Sequence, residues 1–232
     1  AASVRDLGGR VRRQLARAYH HMGQYSAALQ TYRSLLSEEV EVAARDSIYF
    51  DQAVLLVHLG QEDDAVRQFL LVRDEFPKAP LANQAGARAG HIAFALGQYD
   101  QARRIYEPLL EKDVSDSLVY GQYALALFRL QRIEEGRKAA KRYADRMGEK
   151  AEWDQRFLLE EGRYYQRAKN YDRALKAFRD VVKRQGRAAG EGAYYAAETL
   201  WQQNASAPSE EGAARALDAL VRFVQDYPDS PQ

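Results

Sequence analysis

The side chains that could do chemistry are few, and their spacing argues against it. The four histidines are His20, His21, His58 and His91. None belongs to a two-histidine helical motif with an intervening Glu, the arrangement that would hold zinc and supply a base. His20 and His21 are adjacent, so on a helix they are expected to point in different directions. There are no cysteines, which removes thiolate catalysis, disulfides and Cys-ligated zinc. Gly186, Gly190 and Gly192 lack the Lys-Ser/Thr ending and preceding strand that a phosphate-cradling loop requires. Glu160-Glu161 and Glu210-Glu211 are paired carboxylates in sequence, and such pairs are ordinarily solvated. No serine has a nucleophile-elbow context. The reading is therefore no catalytic residue, no metal, no cofactor and no enzyme.

The elements that position these residues repeat. His91 to Leu110 reads as the end of one helix, a turn at Gly97 and a second helix. Tyr99, Ala102, Tyr106, Leu109 and Leu110 fall on one face of that second helix. Gly23-Gln24-Tyr25 precedes Ala28, Tyr32, Leu35 and Leu36 in the same way. Gly60-Gln61 precedes Ala65, Phe69 and Val72, and Asn170-Tyr171 precedes Ala174, Phe178 and Val181. Small residues pair across each hairpin at a constant distance of 12 residues: Ala16 with Ala28, Ala53 with Ala65, Gly90 with Ala102, Ala124 with Gly136, Gly162 with Ala174. Successive hairpins are 37, 37, 34 and 38 residues apart.

This pattern resembles the tetratricopeptide repeat, a helix-turn-helix of about 34 residues that buries its face only by stacking on a neighbour. The family's small residues match the pairs above, its second-helix aromatic matches Tyr32, Phe69, Tyr106 and Phe178, and its terminal proline matches Pro77. Its turn glycine matches Gly23, Gly60 and Gly97. The departures are Ala140, where an aromatic belongs, and Gln131 and Lys169 in place of the turn glycine. The fourth hairpin is accordingly expected to pack less tightly. The resemblance implies an all-α fold: a right-handed superhelical solenoid of about six hairpins over residues 4–37, 47–77, 80–112, 116–147, 152–184 and 188–227. These form a single 1–232 domain, read as a piece of a longer array.

Local signals refine this outline. Asp46-Ser47 and Asp116-Ser117 read as helix N-caps. Pro77 should stop one helix and Pro80 should sit in the first turn of the next. In the sixth hairpin Ala196 and Ala216 are 20 residues apart, and the extra residues fall in 204–211, a loop by composition. Tyr227-Pro228-Asp229-Ser230-Pro231 repeats the form of Phe76-Pro77-Lys78-Ala79-Pro80, which introduces a further helix.

In the resembled family the first helix of each repeat lines a concave wall. Carried to this sequence, that wall holds Arg13, Arg17 and His21, then Phe50, Val54 and His58, then His91 and Phe94. Leu125, Phe128 and Arg129 follow, and Arg163 and Arg167 end it. The result is a groove with an apolar middle and basic ends. It suits a protein or peptide partner with apolar anchors and acidic flanks. The aromatic members are as compatible with packing between repeats as with lining the groove. The basic run Arg137, Lys138, Lys141 and Arg142 lies on a second helix, away from that wall.

Composition sets the outer limits. Thirty-four Lys and Arg against 33 Asp and Glu leave a net charge of +1, which argues against a general nucleic-acid binder. No apolar run approaches the ~18 residues of a membrane span. The chain starts Ala1-Ala2-Ser3, read as a mature or trimmed start. The function expected is a scaffold or adaptor. The proline joints resemble those of bacterial outer-membrane assembly lipoproteins and Tol–Pal accessory proteins, which implies a periplasmic or envelope-associated complex. A cytoplasmic adaptor of a motility, secretion or signalling machine, or a docking domain of a larger enzyme, is the alternative.

Overall fold

In a computed structural model of the chain, residues 4–37, 42–112, 114, 116–148 and 151–230 are described. Among them are twelve α-helices and no strand. They run α1 (Val4–His21), α2 (Tyr25–Ser37), α3 (Val42–His58), α4 (Glu62–Glu75), α5 (Ala82–Ala95) and α6 (Tyr99–Glu111). Then come α7 (Ser117–Arg129), α8 (Ile133–Met147), α9 (Ala151–Arg167), α10 (Tyr171–Lys183), α11 (Ala189–Ser206) and α12 (Glu210–Asp226). The chain divides into two compact units, Ala1–Ser115 and Asp116–Gln232. Each holds three antiparallel hairpins, stacked so that a second helix packs on the first helix of the next hairpin. No helix of the described residues is long and apolar enough to cross a membrane.

The small residues are where the helices of a hairpin touch. Ala16, Ala28, Ala53, Ala65, Ala102, Ala124 and Ala174 are each wholly buried. The second-helix aromatic lies over the small residue of the first helix. A Cβ placed on Gly90 would run into the Tyr106 ring, and one on Gly162 into Phe178. Tyr32, Phe69, Tyr106 and Phe178 are accordingly 0–1% exposed, each contributing roughly 1.5–3 kcal/mol of burial.

Five of the turns share one hydrogen-bond pattern. Gln24 donates to the Tyr19 carbonyl and Gly23 to that of His20, and the pairs recur at Gln61/Gly60, Gln98/Gly97, Arg132/Gln131 and Asn170/Lys169. This is the Schellman closure of a helix end, which needs a left-handed residue. Glycine meets the need at Gly97 (φ 74°), whereas Gln131 (φ 61°) and Lys169 (φ 57°) hold the same conformation with a side chain. Such strain costs an L-residue about 1–2 kcal/mol. Lys169→Gly should therefore stabilise unit 2 by about 0.5–1 kcal/mol after glycine's greater unfolded-state entropy is deducted. A melting scan checks this: Tm should rise by roughly 1–4 °C, and a fall would refute the strain.

The fourth hairpin is filled differently from its neighbours, not less. With Ala140 in the aromatic register, Phe128 of α7 packs against Gly136 and is 1% exposed, and Tyr143 is wholly buried. Trp153 and Phe157 of α9 complete the cluster, with Phe157 edge-on to Tyr143 at 5.8 Å. The looseness lies one step further on, between α8 and α9. One residue past the small residue, α2, α4 and α10 place Leu29, Val66 and Leu175, which are 2–6% exposed, while α6 places Arg103. On α8 this position holds Arg137, bonded to Glu161 and, at 2.9 Å, to the Tyr165 hydroxyl. Beside it opens a cleft of about 410 Å³ lined by Arg137, Leu158, Glu161, Tyr165, Arg173 and Lys176.

Three local expectations need correcting. Helix α3 starts at Val42, so Asp46 and Ser47 do not cap it: the alanines at 43 and 44 favour continuing the helix, and Ser47 instead accepts a bond from Arg13. Helix α5 starts at Ala82 after Leu81, which leaves Pro80 in the preceding turn. The stretch 204–211 is only partly a loop, since α11 continues to Ser206 and α12 begins at Glu210. Asn204 accepts from the Ser209 amide at 3.0 Å and Ser209 caps α12 through Gly212, so most of the insertion lengthens helices. The cap at Asp116 forms, accepting from Leu118 and Val119.

Candidate functional site

The wall residues occupy fixed offsets from the small residue of each first helix, and those offsets decide their exposure. Five residues on stand His21, His58, Ala95, Arg129 and Arg167, and all are exposed. The reason is geometric, since this position lies in the last turn beyond the hairpin's close crossing. One residue on, Arg17 is exposed, Val54, His91 and Arg163 are half-buried and Leu125 is buried.

In unit 1 the wall is part aromatic, part polar. Phe50 is 8% exposed, edge-on to Phe69 at 5.2 Å and beneath the Arg88 guanidinium at 5.4 Å. It belongs to the core more than to an open surface. Phe94 is half-buried against Tyr99, 5.3 Å away. His91 meets the Tyr106 hydroxyl through Nδ1 at 2.9 Å. Arg13 is half-buried and donates to Ser47 Oγ at 2.5 Å. Arg17 reaches the Tyr32 hydroxyl, which itself donates to Asp51 Oδ2 at 2.9 Å. Burial first, and Asp51 second, push the Tyr32 pKa well above its ordinary value.

A histidine cluster also belongs to this wall, and sequence reasoning missed it. The rings of His20 and His21 are parallel and 5.9 Å apart, against the expectation that they diverge, because both lie where α1 ends. His58 lies 5.4 Å from His20 and stacks on Tyr25 at 4.5 Å. Partial burial, then the neighbouring charges of His58 and His21, lower the His20 pKa, with Asp51 opposing. Among the described residues no group of three or more His, Cys, Asp or Glu is placed to hold a metal ion.

In unit 2 the apolar and basic parts separate. Leu125 and Phe128 are 8% and 1% exposed and face the hairpin interior, so they offer a ligand no surface. Glu160, read from sequence as a solvated carboxylate, is 6% exposed. It lies 2.5 Å from Arg129 and 3.6 Å from Arg163, tying α7 to α9. Arg163 also reaches Glu191 at 3.2 Å and lies over the Tyr195 ring at 4.4 Å. Burial pulls its pKa down, but Tyr195, Glu160 and Glu191 outweigh that and keep it charged. The guanidinium that sequence reading offered to a partner's carboxylate is thus engaged within the unit. Arg167 stays exposed in the last turn of α9. The i,i+3 spacing of Glu160 and Arg163 was the available signal for this pair.

The tetratricopeptide repeat family's sequence profile matches residues 12–80, 88–151 and 159–231. No curated protein sequence matches the chain. Among solved structures it is similar to a tetratricopeptide repeat protein from Parabacteroides merdae ATCC 43184, with TM-score 0.66 and 12% identity over 94% of this chain and 79% of that one. It is also similar to MamA, residue 41 to the end, from Desulfovibrio magneticus RS-1, with TM-score 0.58 and 19% identity over 80% of this chain and 97% of that one. A third is YrrB, a tetratricopeptide repeat protein with an unusual peptide-binding site, with TM-score 0.54 and 19% identity over 85% and 93%. At these identities the likeness is one of fold.

Proposed function

The chain belongs to the tetratricopeptide repeat family, and from that premise we propose that it is an adaptor which binds a partner polypeptide along its first-helix faces and does no chemistry of its own. The observation that carries this is the exposed last-turn residues within each unit, His21 and His58 in unit 1 and, separately, Arg129 and Arg167 in unit 2. Each stands in the last turn of the first helix of its hairpin. YrrB, on a similar fold, has a peptide-binding site, which supports a polypeptide partner here.

In unit 1 a partner segment would carry apolar side chains for Val54 and Phe94 with an acidic group for Arg17, and in unit 2 an acidic group for Arg167; Arg129 is already paired with Glu160. Arg163 contributes less, because Glu160 and Glu191 already hold it. The form of the Phe76–Pro80 and Tyr227–Pro231 joints supports a complex at the bacterial envelope; fractionation of source cells checks the compartment.

A photo-crosslinking amino acid at His58 or Arg167 should capture the partner, while the same probe at Lys138 on α8 should not. Capture at Lys138 as strong as at both wall positions would overturn the assignment. For an acidic partner, Arg167→Glu should weaken binding by about 1.5- to 5-fold, the range of one exposed ion pair.

A further inference from the structure

Helix α9 presents different chemistry on its two sides. Glu160, Arg163 and Arg167 recur at steps of three and four and lie on the side of the binding wall. Leu158, Glu161 and Tyr165 recur at the same steps on the opposite side. That second side lines the cleft of about 410 Å³ described above. Helix α8 contributes Arg137 to it, and α10 contributes Arg173, Lys176, Ala177 and Asp180. The walls are three consecutive helices in the interior of unit 2.

Positive charge converges on this cleft and is only partly answered. Tyr165 is 6% exposed, and two guanidinium groups lie over its ring, that of Arg137 at 5.8 Å and that of Arg173 at 5.3 Å from the centre. Its hydroxyl accepts from both, at 2.9 and 3.5 Å. Arg137 is matched by Glu161 and Glu134. Asp180 is matched by Lys183 at 3.2 Å. Arg173 and Lys176 are exposed and, among the described residues, pair with no carboxylate. They stand three residues apart on α10, which puts their Cβ atoms about 5–6 Å from each other. Like charges gathered at one point repel, and a bound anion offsets that cost.

We propose that this cleft binds a phosphate monoester, its dianionic head held between Arg173 and Lys176 with Arg137 on the α8 side, and its organic part against Leu158 and Ala177. A phosphate monoester carries close to two negative charges at neutral pH and three acceptor oxygens, which matches two open cations. A guanidinium engages such a group in a fork of two hydrogen bonds. A singly charged carboxylate would leave one of the cations unanswered. The volume is that of a small-ligand site. Because the cleft lies across α9 from the binding wall, it does not rest on the adaptor reading.

The test is an NMR titration of the isotope-labelled full chain with phenyl phosphate at constant ionic strength. The amides of Arg137 and of residues 158–180 should shift and saturate, with half-saturation at about 1–10 mM. Inorganic phosphate should move the same amides with weaker affinity, because it lacks the part that lies on Leu158 and Ala177. Benzoate, which keeps the ring but carries one charge, should also bind more weakly than phenyl phosphate. Arg173→Ala should weaken phenyl phosphate by about tenfold or more, the equivalent of one charge-assisted hydrogen bond. Lys176→Ala should weaken it about 1.5- to 5-fold, the range of an exposed ion pair. Both residues are exposed, so circular dichroism should match the parent. Lys138→Ala, an equal loss of charge on α8 outside the cleft, should leave the affinity unchanged. The proposal is overturned by the absence of saturable shifts, by shifts centred elsewhere, or by benzoate or inorganic phosphate binding as tightly as phenyl phosphate. An Arg173→Ala variant that binds like the parent would overturn it too.

Discussion

Gly90→Val is expected to destabilise unit 1 by about 2–2.5 kcal/mol and to lower its melting transition by roughly 4–10 °C. The added Cβ would occupy space taken by the Tyr106 ring. That ring cannot slide freely, because Tyr106 is wholly buried and its hydroxyl is held by His91 at 2.9 Å. Overpacking normally costs about 1–3 kcal/mol; a β-branched side chain at a helix crossing belongs at the top of that range. Relief from removing a helical glycine offsets only about 0.5–1 kcal/mol. Gly136→Ala supplies the contrast. Its Cβ would meet Phe128 at 3.1–3.2 Å, a contact that small shifts absorb, so its melting point should move by only a few degrees. If Gly90→Val melts with the parent, the hairpin helices do not touch where the repeat register says.

Phe128→Ala should cost unit 2 about 3–5 kcal/mol while leaving partner binding unchanged in whatever fraction stays folded. Phe128 packs on Gly136 and stacks near Phe157, 6.1 Å between ring centres. It replaces the aromatic that Ala140 fails to supply, so nothing nearby can fill the cavity. The informative experiment measures stability by denaturant and affinity below the melting range in parallel. Loss of affinity in fully folded protein, with stability intact, would return Phe128 to the binding surface.

Phe128 also marks what the sequence could and could not say. Its type and register placed it correctly on α7, and the fold followed from the 12-residue spacing because that spacing reflects a crossing any hairpin of this kind must make. Its exposure did not follow. Whether an apolar residue on the inner face meets solvent depends on its neighbours, and here Ala140 and Gly136 left room inside. Glu160 failed the other way: a carboxylate pair reads as solvated until Arg129 arrives from a different hairpin. His20 and His58 lie 38 positions apart, a distance no local pattern connects. Caps divided by strength of signal. Asp116 follows a break in helical pattern and caps; Asp46 follows alanines that carry the helix through it.

The ionic joint at Arg137 gives α8 a different character from its neighbours. Where Leu29 and Leu175 exclude water, Arg137 and Glu161 admit it, so the seam holding α8 to α9 weakens with ionic strength where the apolar ones do not. Fluctuations that leave the rest of unit 2 closed should begin there. Since α8 is also dense in Lys and Arg, trypsin would find its first cuts in that helix, and the backbone amides of α8 would trade their protons for deuterium ahead of those in α10.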